Sequence, residues 1–170
     1  MVIRRIGVVG AGLMGTNIAL DFALAGFPVH ITDARPEQLQ RSRGTVEENT
    51  RLLEAHAALG EPPAEVLARI RYCETLGETV SGTDLVVEAV SEDLELKRAL
   101  FGRIAAEVSA ECVLASNTSS FMPSLLADAT GRPERFLVAH YWNPAHLIPL
   151  VELVPSPHTD ADVLETLRLL

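Results

Sequence analysis

The amino-acid sequence predicts an α/β fold in which helices cover both faces of a doubly wound, mostly parallel sheet. Short apolar runs alternate with longer segments of helical periodicity along nearly the whole chain. Polar clusters follow directly on four apolar runs, at Asp33, residues 88–92, residues 117–119 and His140. Strands that are apolar throughout are typical of parallel sheets buried on both faces, and such sheets bind ligands at the carboxyl ends of their strands.

The first elements predict a β-α-β unit. Residues 3–9 form a continuous apolar run, residues 13–25 have helical periodicity, and residues 29–32 form a second short strand. The later elements alternate in the same way, with strands predicted over residues 70–74, 84–90 and 113–116, a helix over residues 94–108, and strand-like runs at 136–138 and 150–154.

A helical hairpin interrupts this alternation after the second strand. Pro36 begins a long polar helix that we expect to extend to about residue 59. Residues 60–63 break the helix and residues 64–69 resume it. The hairpin carries Arg41, Arg43 and Arg51, but glutamates are interspersed among them, so the pattern fits a solvated helix face as well as a phosphate site.

Length and composition predict one domain over residues 1–170. The chain has 170 residues, of which 48% are hydrophobic and 22% are charged. Residues 160–170 begin like a capped helix and stop at LRLL, so we expect the chain to be truncated.

Charge and cysteine content exclude several functional classes. The net charge of −9 argues against a nucleic-acid partner, which would require a basic face. Cys73 and Cys112 lack CxxC or metal-ligand spacing, so the sequence predicts neither a disulfide framework nor a metal site. No apolar run is long enough for a signal peptide or a membrane span. These features favour a cytoplasmic enzyme.

A glycine-rich loop predicts a dinucleotide site. Gly10, Gly12 and Gly15 form GxGxxG between a strand and a helix, where they permit a tight turn, approach of a pyrophosphate and close helix packing. Asp33 ends the second strand eighteen residues beyond Gly15, where its carboxylate can accept hydrogen bonds from the adenosine ribose. Because this carboxylate repels a 2′-phosphate, NAD is preferred over NADP. Arg35 could instead stack on adenine or face a phosphate.

His140 and Glu152 form the candidate catalytic pair. They lie between two strand-like runs, so the strands can bring the two side chains together. A carboxylate that orients an imidazole produces a general base that works near neutral pH. Two such residues can equally form a buried structural pair.

Five segments together resemble the NAD-binding domain of the 3-hydroxyacyl-CoA dehydrogenases. They are GAGLMG, Asp33, VVEAVSEDLELKRALF, SNTSS and HYWNPAHLIPLVELV. The resemblance spans nearly the whole chain and implies a Rossmann-like fold with NAD as cofactor. It also implies that His140 is the general base and that Glu152 orients it.

The resemblance assigns further residues by position. Ser119 matches the serine that hydrogen-bonds the hydroxyl or keto oxygen of the substrate. Glu92 and Lys97 match residues near the nicotinamide ribose, and Lys97 is the only lysine of the chain. Asn117 and Asn143 match asparagines near the nicotinamide and the catalytic histidine, although each could instead satisfy loop backbone. The complete predicted cofactor set is Gly10, Gly12, Leu13, Met14, Gly15, Asp33, Glu92, Lys97 and Asn117, and the catalytic set is His140, Glu152, Ser119 and Asn143.

The implied reaction is NAD-dependent oxidation of the 3-hydroxyl of a 3-hydroxyacyl-CoA. Related dehydrogenases with the same core act on free hydroxy acids such as gulonate or carnitine, and a stand-alone NAD-binding module is a third interpretation. The GLMG sequence also occurs in dehydrogenases of the 6-phosphogluconate type, but those use a catalytic lysine and lack the His-to-Glu spacing. The family continues into a helical C-terminal domain, which is absent here and usually forms a homodimer.

Overall fold

Seven strands form one sheet in the computed structural model, which describes residues 2–170. The strands are β1 (Ile6–Val9), β2 (Val29–Thr32), β3 (Ile70–Tyr72), β4 (Leu85–Glu88), β5 (Val113–Ser116), β6 (Phe136–Tyr141) and β7 (Val151–Pro155). The helices are α1 (Leu13–Leu24), α2 (Pro36–Ala55), α3 (Pro63–Ala68), α4 (Leu76–Val80), α5 (Leu94–Glu107), α6 (Ser124–Ala127) and α7 (Ala161–Arg168).

The strand order across the sheet is β3-β2-β1-β4-β5-β6-β7. Strands β1 to β6 are parallel to their neighbours, and β7 is antiparallel to β6. The chain winds from β1 outward to β3 and then from β4 outward in the other direction. The doubly wound, mostly parallel sheet is therefore confirmed, as is the helical hairpin after β2. Its switch point lies between β1 and β4, where such sheets bind ligands.

Two apolar clusters hold the helices against the sheet. One contains Ile18 of α1 and Val163 of α7, together with alternate residues of the strands. The other contains Phe101 of α5 and Phe136 of β6, whose ring centroids lie 5.1 Å apart in an edge-to-face arrangement. Because both faces are covered, β1, β4 and β5 are buried at every position, which explains their apolar sequences.

The first strand is shorter than predicted. It begins at Ile6 because the backbone amides of Arg4 and Arg5 donate to Oδ2 of Asp84, over 2.8 and 3.0 Å, instead of to a neighbouring strand. The apolar character of Ile3 reflects burial in the core and not strand pairing. Apolar sequence alone therefore overestimated this strand at its start.

Helix α2 also ends earlier than predicted, at Ala55. The amides of Ala57 and Ala58 donate to the carbonyls of Glu54 and Leu53, respectively, which is the Schellman pattern of a helix C-terminus. Ala57 adopts φ 54°, a left-handed conformation that usually selects glycine. Because an alanine takes this position, the sequence carries no glycine signal for the end of the helix.

Helix α4 was not predicted. Its N-cap Thr75 accepts a hydrogen bond from the amide of Glu78 through its hydroxyl, and the carboxylate of Glu78 accepts one from the amide of Thr75, over 3.2 and 3.3 Å. This reciprocal arrangement is a capping box, for which T-x-x-E is the sequence signal. The helix has only five residues, too few for its periodicity to be recognised.

Three observations bear on the functional class. Within residues 2–170, no helix has the length and apolar character needed to cross a bilayer. The same residues contain no group of three or more His, Cys, Asp or Glu side chains placed to hold a metal ion. Cys73 and Cys112 are both buried and free, and burial raises the pKa of the Cys112 thiol to about 11.

The buried strand β5 provides a test of the packing. Leu114 is fully buried at its centre, whereas Leu169 is 72% exposed. We expect Leu114→Ala to lower the free energy of unfolding by about 2–5 kcal/mol, because it leaves a cavity between the sheet and α5. The matched Leu169→Ala control should change it by less than about 0.5 kcal/mol. Urea unfolding followed by circular dichroism measures both, and equal effects would contradict the packing described.

Candidate active site and dinucleotide cleft

The glycine loop between β1 and α1 is built by close backbone contacts. A Cβ atom on Gly15 would lie 1.8 Å from the carbonyl oxygen of Gly10, and one on Gly10 would lie 2.6 Å from the carbonyl oxygen of Ala89. Gly10 also has φ 105°, which disfavours other residues. The first and third glycines are therefore required by the fold itself.

Gly12 differs from the other two glycines because a Cβ there would meet no atom within 4 Å. It is the N-cap of α1 and offers no capping side chain, so the first amides of the helix remain available to an anion. An open glycine in front of free helix amides is the arrangement that receives a pyrophosphate. The residues present thus fit a dinucleotide.

Asp33 closes the loop at the end of β2. Its Oδ2 accepts a hydrogen bond from the amide of Ala11 at 2.8 Å, and its Oδ1 accepts one from the amide of Arg35 at 3.0 Å. These contacts fix the carboxylate beside the glycine loop, where it can accept hydrogen bonds from an adenosine ribose. The side chain of Arg35 is 64% exposed, and its Nε lies 3.6 Å from Oδ1 of Asp33. This ion pair is therefore open to solvent.

A first cleft of about 620 Å³ extends from the glycine loop to α5. Its lining includes Gly12, Asp33, Leu76, Val90 and Arg103. This size falls within the range of small-molecule sites. Sequence reasoning missed Leu76 and Arg103, because neither belongs to a motif and α4 was not predicted.

A buried ion pair lies at the carboxyl end of β4. Nζ of Lys97 lies 2.6 Å from Oε1 of Glu88, and the two side chains are 1% and 0% exposed. Nζ also lies 3.2 Å from Oε2 of Glu92 and donates to the carbonyl of Val90 at 3.3 Å. The predicted contact of Lys97 with the cofactor stays a prediction; in the structure, its ammonium is enclosed by these three acceptors.

Glu92 is the member of this group that reaches the surface. Its Oε1 accepts hydrogen bonds from the hydroxyls of Thr118 and Ser120 and from the amide of Ser120. Burial opposes ionisation of this carboxyl, but the hydrogen bonds from Ser120, Thr118 and Lys97 outweigh it and lower its pKa to about 2. Glu92 is therefore ionised throughout the physiological range.

The loop after β5 carries the predicted asparagine and serine. Oδ1 of Asn117 accepts a hydrogen bond from the amide of Tyr141 at 2.9 Å, which ties this loop to the strand residue beside His140. The side chain of Asn117 thus satisfies backbone, which was one of its two predicted roles. Ser119 is exposed and makes no side-chain hydrogen bond within residues 2–170, so its hydroxyl is free to meet a substrate.

His140 and Glu152 face each other across β6 and β7. They are direct partners in the antiparallel register, and Nδ1 of His140 lies 2.6 Å from Oε2 of Glu152. A carboxylate can only accept, so Nδ1 carries a proton, and in the neutral imidazole Nε2 then presents a lone pair. His140 lies within β6 and not beyond it, because the strand continues to Tyr141. The side chains are 27% and 51% exposed, so the pair is accessible.

Asn143 makes no hydrogen bond to this pair within residues 2–170. It is exposed and contributes to a second cleft of about 640 Å³, which α1, α2 and the loop after β6 surround. Asn17, Asn49 and His56 also line this second cleft, as does Leu13, the first residue of α1. The predicted contact of Asn143 with the catalytic histidine stays a prediction.

Two of the three arginines of the inserted hairpin have structural partners. The guanidinium of Arg43 lies 4.7 Å from the centroid of the Tyr72 ring, which is a cation–π contact. Arg51 pairs with Glu47 one turn away at 3.7 Å. These contacts agree with a solvated helix face that packs at its border on β3.

The hydrogen bonds of Glu92 predict a pH dependence. Because its pKa is lower in the folded chain than the ordinary 4.5, its contribution to stability is complete above pH 4.5 and is lost as pH falls towards about 2. We expect Glu92→Gln to flatten the fall in unfolding free energy across this window, as measured by urea titrations at several pH values. The exposed Glu95→Gln control on α5 should retain the wild-type slope, and an unchanged slope for Glu92→Gln would contradict the prediction.

The glycine loop predicts that two similar substitutions have opposite consequences. Gly12→Ala should leave the melting temperature nearly unchanged but weaken NADH binding by about tenfold or more, because the methyl group enters space left for the ligand. Gly15→Ala should destabilise the fold itself, because its Cβ collides with backbone. Thermal unfolding and NADH fluorescence titration separate the two effects. Tight NADH binding by Gly12→Ala would contradict this placement of the pyrophosphate.

Comparison with known proteins agrees with this site. The family model described as 3-hydroxyacyl-CoA dehydrogenase, NAD binding domain, matches residues 5–170. A probable 3-hydroxybutyryl-CoA dehydrogenase of Deinococcus radiodurans is 39% identical over 91% of this chain and 55% of its own length. An L-carnitine dehydrogenase/betainyl-CoA thioesterase of a Rhizobium species is 37% identical over 96% of this chain and 32% of its own length.

A solved structure shows the same architecture. The (S)-3-hydroxybutyryl-CoA dehydrogenase of Ralstonia eutropha superposes with a TM-score of 0.94 at 33% identity, over 99% of this chain and 59% of its own. The chain thus spans about half the length of 3-hydroxybutyryl-CoA dehydrogenases among its curated relatives. The family match and the fitting glycine loop support NAD as cofactor. With its doubly wound sheet and its glycine loop, the chain belongs to the NAD-binding domain family of the 3-hydroxyacyl-CoA dehydrogenases.

Proposed function

We propose that this chain carries the cofactor site and the general base of an enzyme that oxidises the 3-hydroxyl of a 3-hydroxyacyl-CoA. The observation that carries the proposal is the 2.6 Å contact between His140 and Glu152. β6 ends and β7 begins at the edge of the sheet where β1 ends in the glycine loop. The base and the cofactor loop therefore lie on the same edge.

The chemistry divides between these residues and the cofactor. NAD, when bound, accepts a hydride from the carbon that bears the hydroxyl. Nε2 of His140 takes the proton of that hydroxyl, and Glu152 stabilises the imidazolium that forms. Ser119 donates its free hydroxyl to the substrate oxygen and holds it near the base. Proton and hydride leave the same alcohol, so a ketone is the product.

The second cleft favours a large substrate over a small hydroxy acid. Its volume of about 640 Å³ has room for part of a CoA thioester, and apolar side chains such as Leu52, Leu53 and Leu147 form most of its lining, with Asn49 and His56 among the polar members. Relatives named as 3-hydroxybutyryl-CoA dehydrogenases support the same substrate class. The carnitine dehydrogenase relative supports the alternative, a free hydroxy acid on the same core.

The wider setting follows from the family and is part of the proposal. Residues 1–170 act as the NAD-binding unit, and a helical C-terminal domain completes the cleft and forms a homodimer. The cytoplasm is the proposed compartment, which the buried free thiols of Cys73 and Cys112 support. On this view, residues 1–170 by themselves bind NAD but turn over substrate slowly, because the cleft admits water when the second domain does not cover it. A stand-alone NAD-binding module is the alternative.

Kinetics with His140 variants test the proposal. In the full-length product, His140→Ala should lower turnover of 3-hydroxybutyryl-CoA by about 10²- to 10⁴-fold, because the base is lost, and should retain NADH binding. His158→Ala, in an exposed loop, is the matched control and should leave turnover unchanged.

Three outcomes would contradict the proposal at different points. Unchanged turnover in the His140→Ala variant would exclude His140 as the general base. Turnover of carnitine or gulonate without turnover of any CoA thioester would exclude the substrate class but keep the mechanism. NADH binding without turnover of any hydroxy substrate would favour the stand-alone module.

A further inference from the structure

Glu88 is a buried carboxylate that no part of the proposed reaction uses. It is the last residue of β4 and is 0% exposed. Oε1 accepts hydrogen bonds from the amide of Val90 at 2.7 Å and from Nζ of Lys97 at 2.6 Å, and Oε2 accepts one from the hydroxyl of Ser116 at 2.6 Å. Burial of a carboxylate is costly unless such partners compensate it, so this position requires an explanation.

One branch of the contacts leads from Glu88 to the surface. Lys97 lies on the buried face of α5, among Leu100, Phe101 and Ile104, and its ammonium is oriented towards β4. It donates to Oε1 of Glu88 and to the carbonyl of Val90, and it forms an ion pair with Oε2 of Glu92 at 3.2 Å. Without Glu88, the ammonium would lose its shortest contact and would no longer be held at the end of β4. Lys97 therefore transmits the position of Glu88 to the exposed carboxylate of Glu92.

A second branch leads to the loop after β5. The hydroxyl of Ser116 donates to Glu88 and accepts from the amide of Thr118 at 3.2 Å. The hydroxyls of Thr118 and Ser120 donate in turn to Glu92. The two branches thus meet at Glu92 and close a ring of hydrogen bonds, and Ser119 lies between two members of this ring.

The ring lies where a bound dinucleotide must extend. In a doubly wound sheet the adenosine half occupies the β1–β2 side and the other half extends over the ends of β4 and β5. Glu88 and Ser116 are the terminal residues of these two strands and pair with each other in register. Within residues 2–170, Oε2 of Glu92 makes an ion pair with Lys97 and accepts no hydrogen bond from another residue, so it retains acceptor capacity for a ribose hydroxyl.

We propose that Glu88 is a positioning residue for the nicotinamide half of NAD, which acts through Lys97 and Ser116 to hold Glu92 and the Ser119 loop in place. Glu88 itself does not touch the cofactor. The part that concerns Glu92 rests only on NAD binding by the family, whereas the part that concerns Ser119 rests on the proposed function. The ligand concerned is a nicotinamide nucleotide.

The competing explanation is that Glu88 and Lys97 serve the fold alone. A buried ion pair can often be replaced by neutral residues without loss of stability, whereas removal of one partner leaves an unpaired buried charge. Removal of both charges therefore separates the two roles. A purely structural pair should be dispensable once both charges are gone, but a positioning pair should not.

The experiment uses the 170-residue chain with the variants Lys97→Met and Glu88→Gln/Lys97→Met. Lys97→Met should lower the melting temperature, and the double variant should recover most of that loss. The double variant should still bind NADH at least about tenfold more weakly than wild type in a fluorescence titration, because Glu92 has lost the ion pair with Lys97 that fixes its position. The exposed pair provides the matched control, since Glu95→Gln/Arg98→Met removes a 3.2 Å ion pair from the other face of α5 and should leave NADH affinity unchanged.

Wild-type NADH affinity in the recovered double variant would overturn the proposal. If that variant does not fold, Ser116→Ala tests the second branch, since it removes one hydroxyl without charge. It should weaken NADH binding and speed amide exchange at Thr118, and wild-type NADH affinity here would likewise overturn the proposal. None of these readouts involves a substrate or His140, so failure of the proposed reaction would leave the result for Glu88 intact.

Discussion

The rest of the site depends on the close approach of the β1–α1 turn to the end of β4. Gly10 lies so near the carbonyl of Ala89 that no side chain fits between them, and Gly15 lies nearer still to the carbonyl of Gly10. This contact brings the helix amides of α1 next to the loop that leaves β4. At the switch point, β1 and β4 pair in register. This pairing makes the glycine loop a neighbour of the buried Glu88 and the exposed Glu92.

The sheet itself could be predicted from sequence because its strands are short, apolar and buried on both faces. The apolar pattern did not predict the ends of elements at which a side-chain hydrogen bond or a backbone conformation sets the boundary. Asp84 takes the amides that would extend β1, and Ala57 adopts the left-handed conformation usually left to glycine. Helix α4 was not predicted because five residues are too few to show a helical period in the apolar pattern.

The chemical groups of the site were also recognisable, but their connections were not. His140 and Glu152 were paired from the two strand-like runs around them and from the family resemblance, whereas their exact register as direct partners comes from the β6–β7 pairing. Lys97 was singled out as the lone lysine, but nothing in the sequence says that Glu88 and Ser116 stand behind it. Such contacts join residues far apart in the chain, and sequence periodicity carries no information about them.

The position of Glu152 on β7 has a consequence for the control of activity. Within residues 2–170, β7 is an outer strand that pairs only with β6, and its residues are largely exposed. Outer strands can detach in local fluctuations that leave the core folded. Detachment of β7 would therefore separate Glu152 from His140 while the rest of the sheet stays paired.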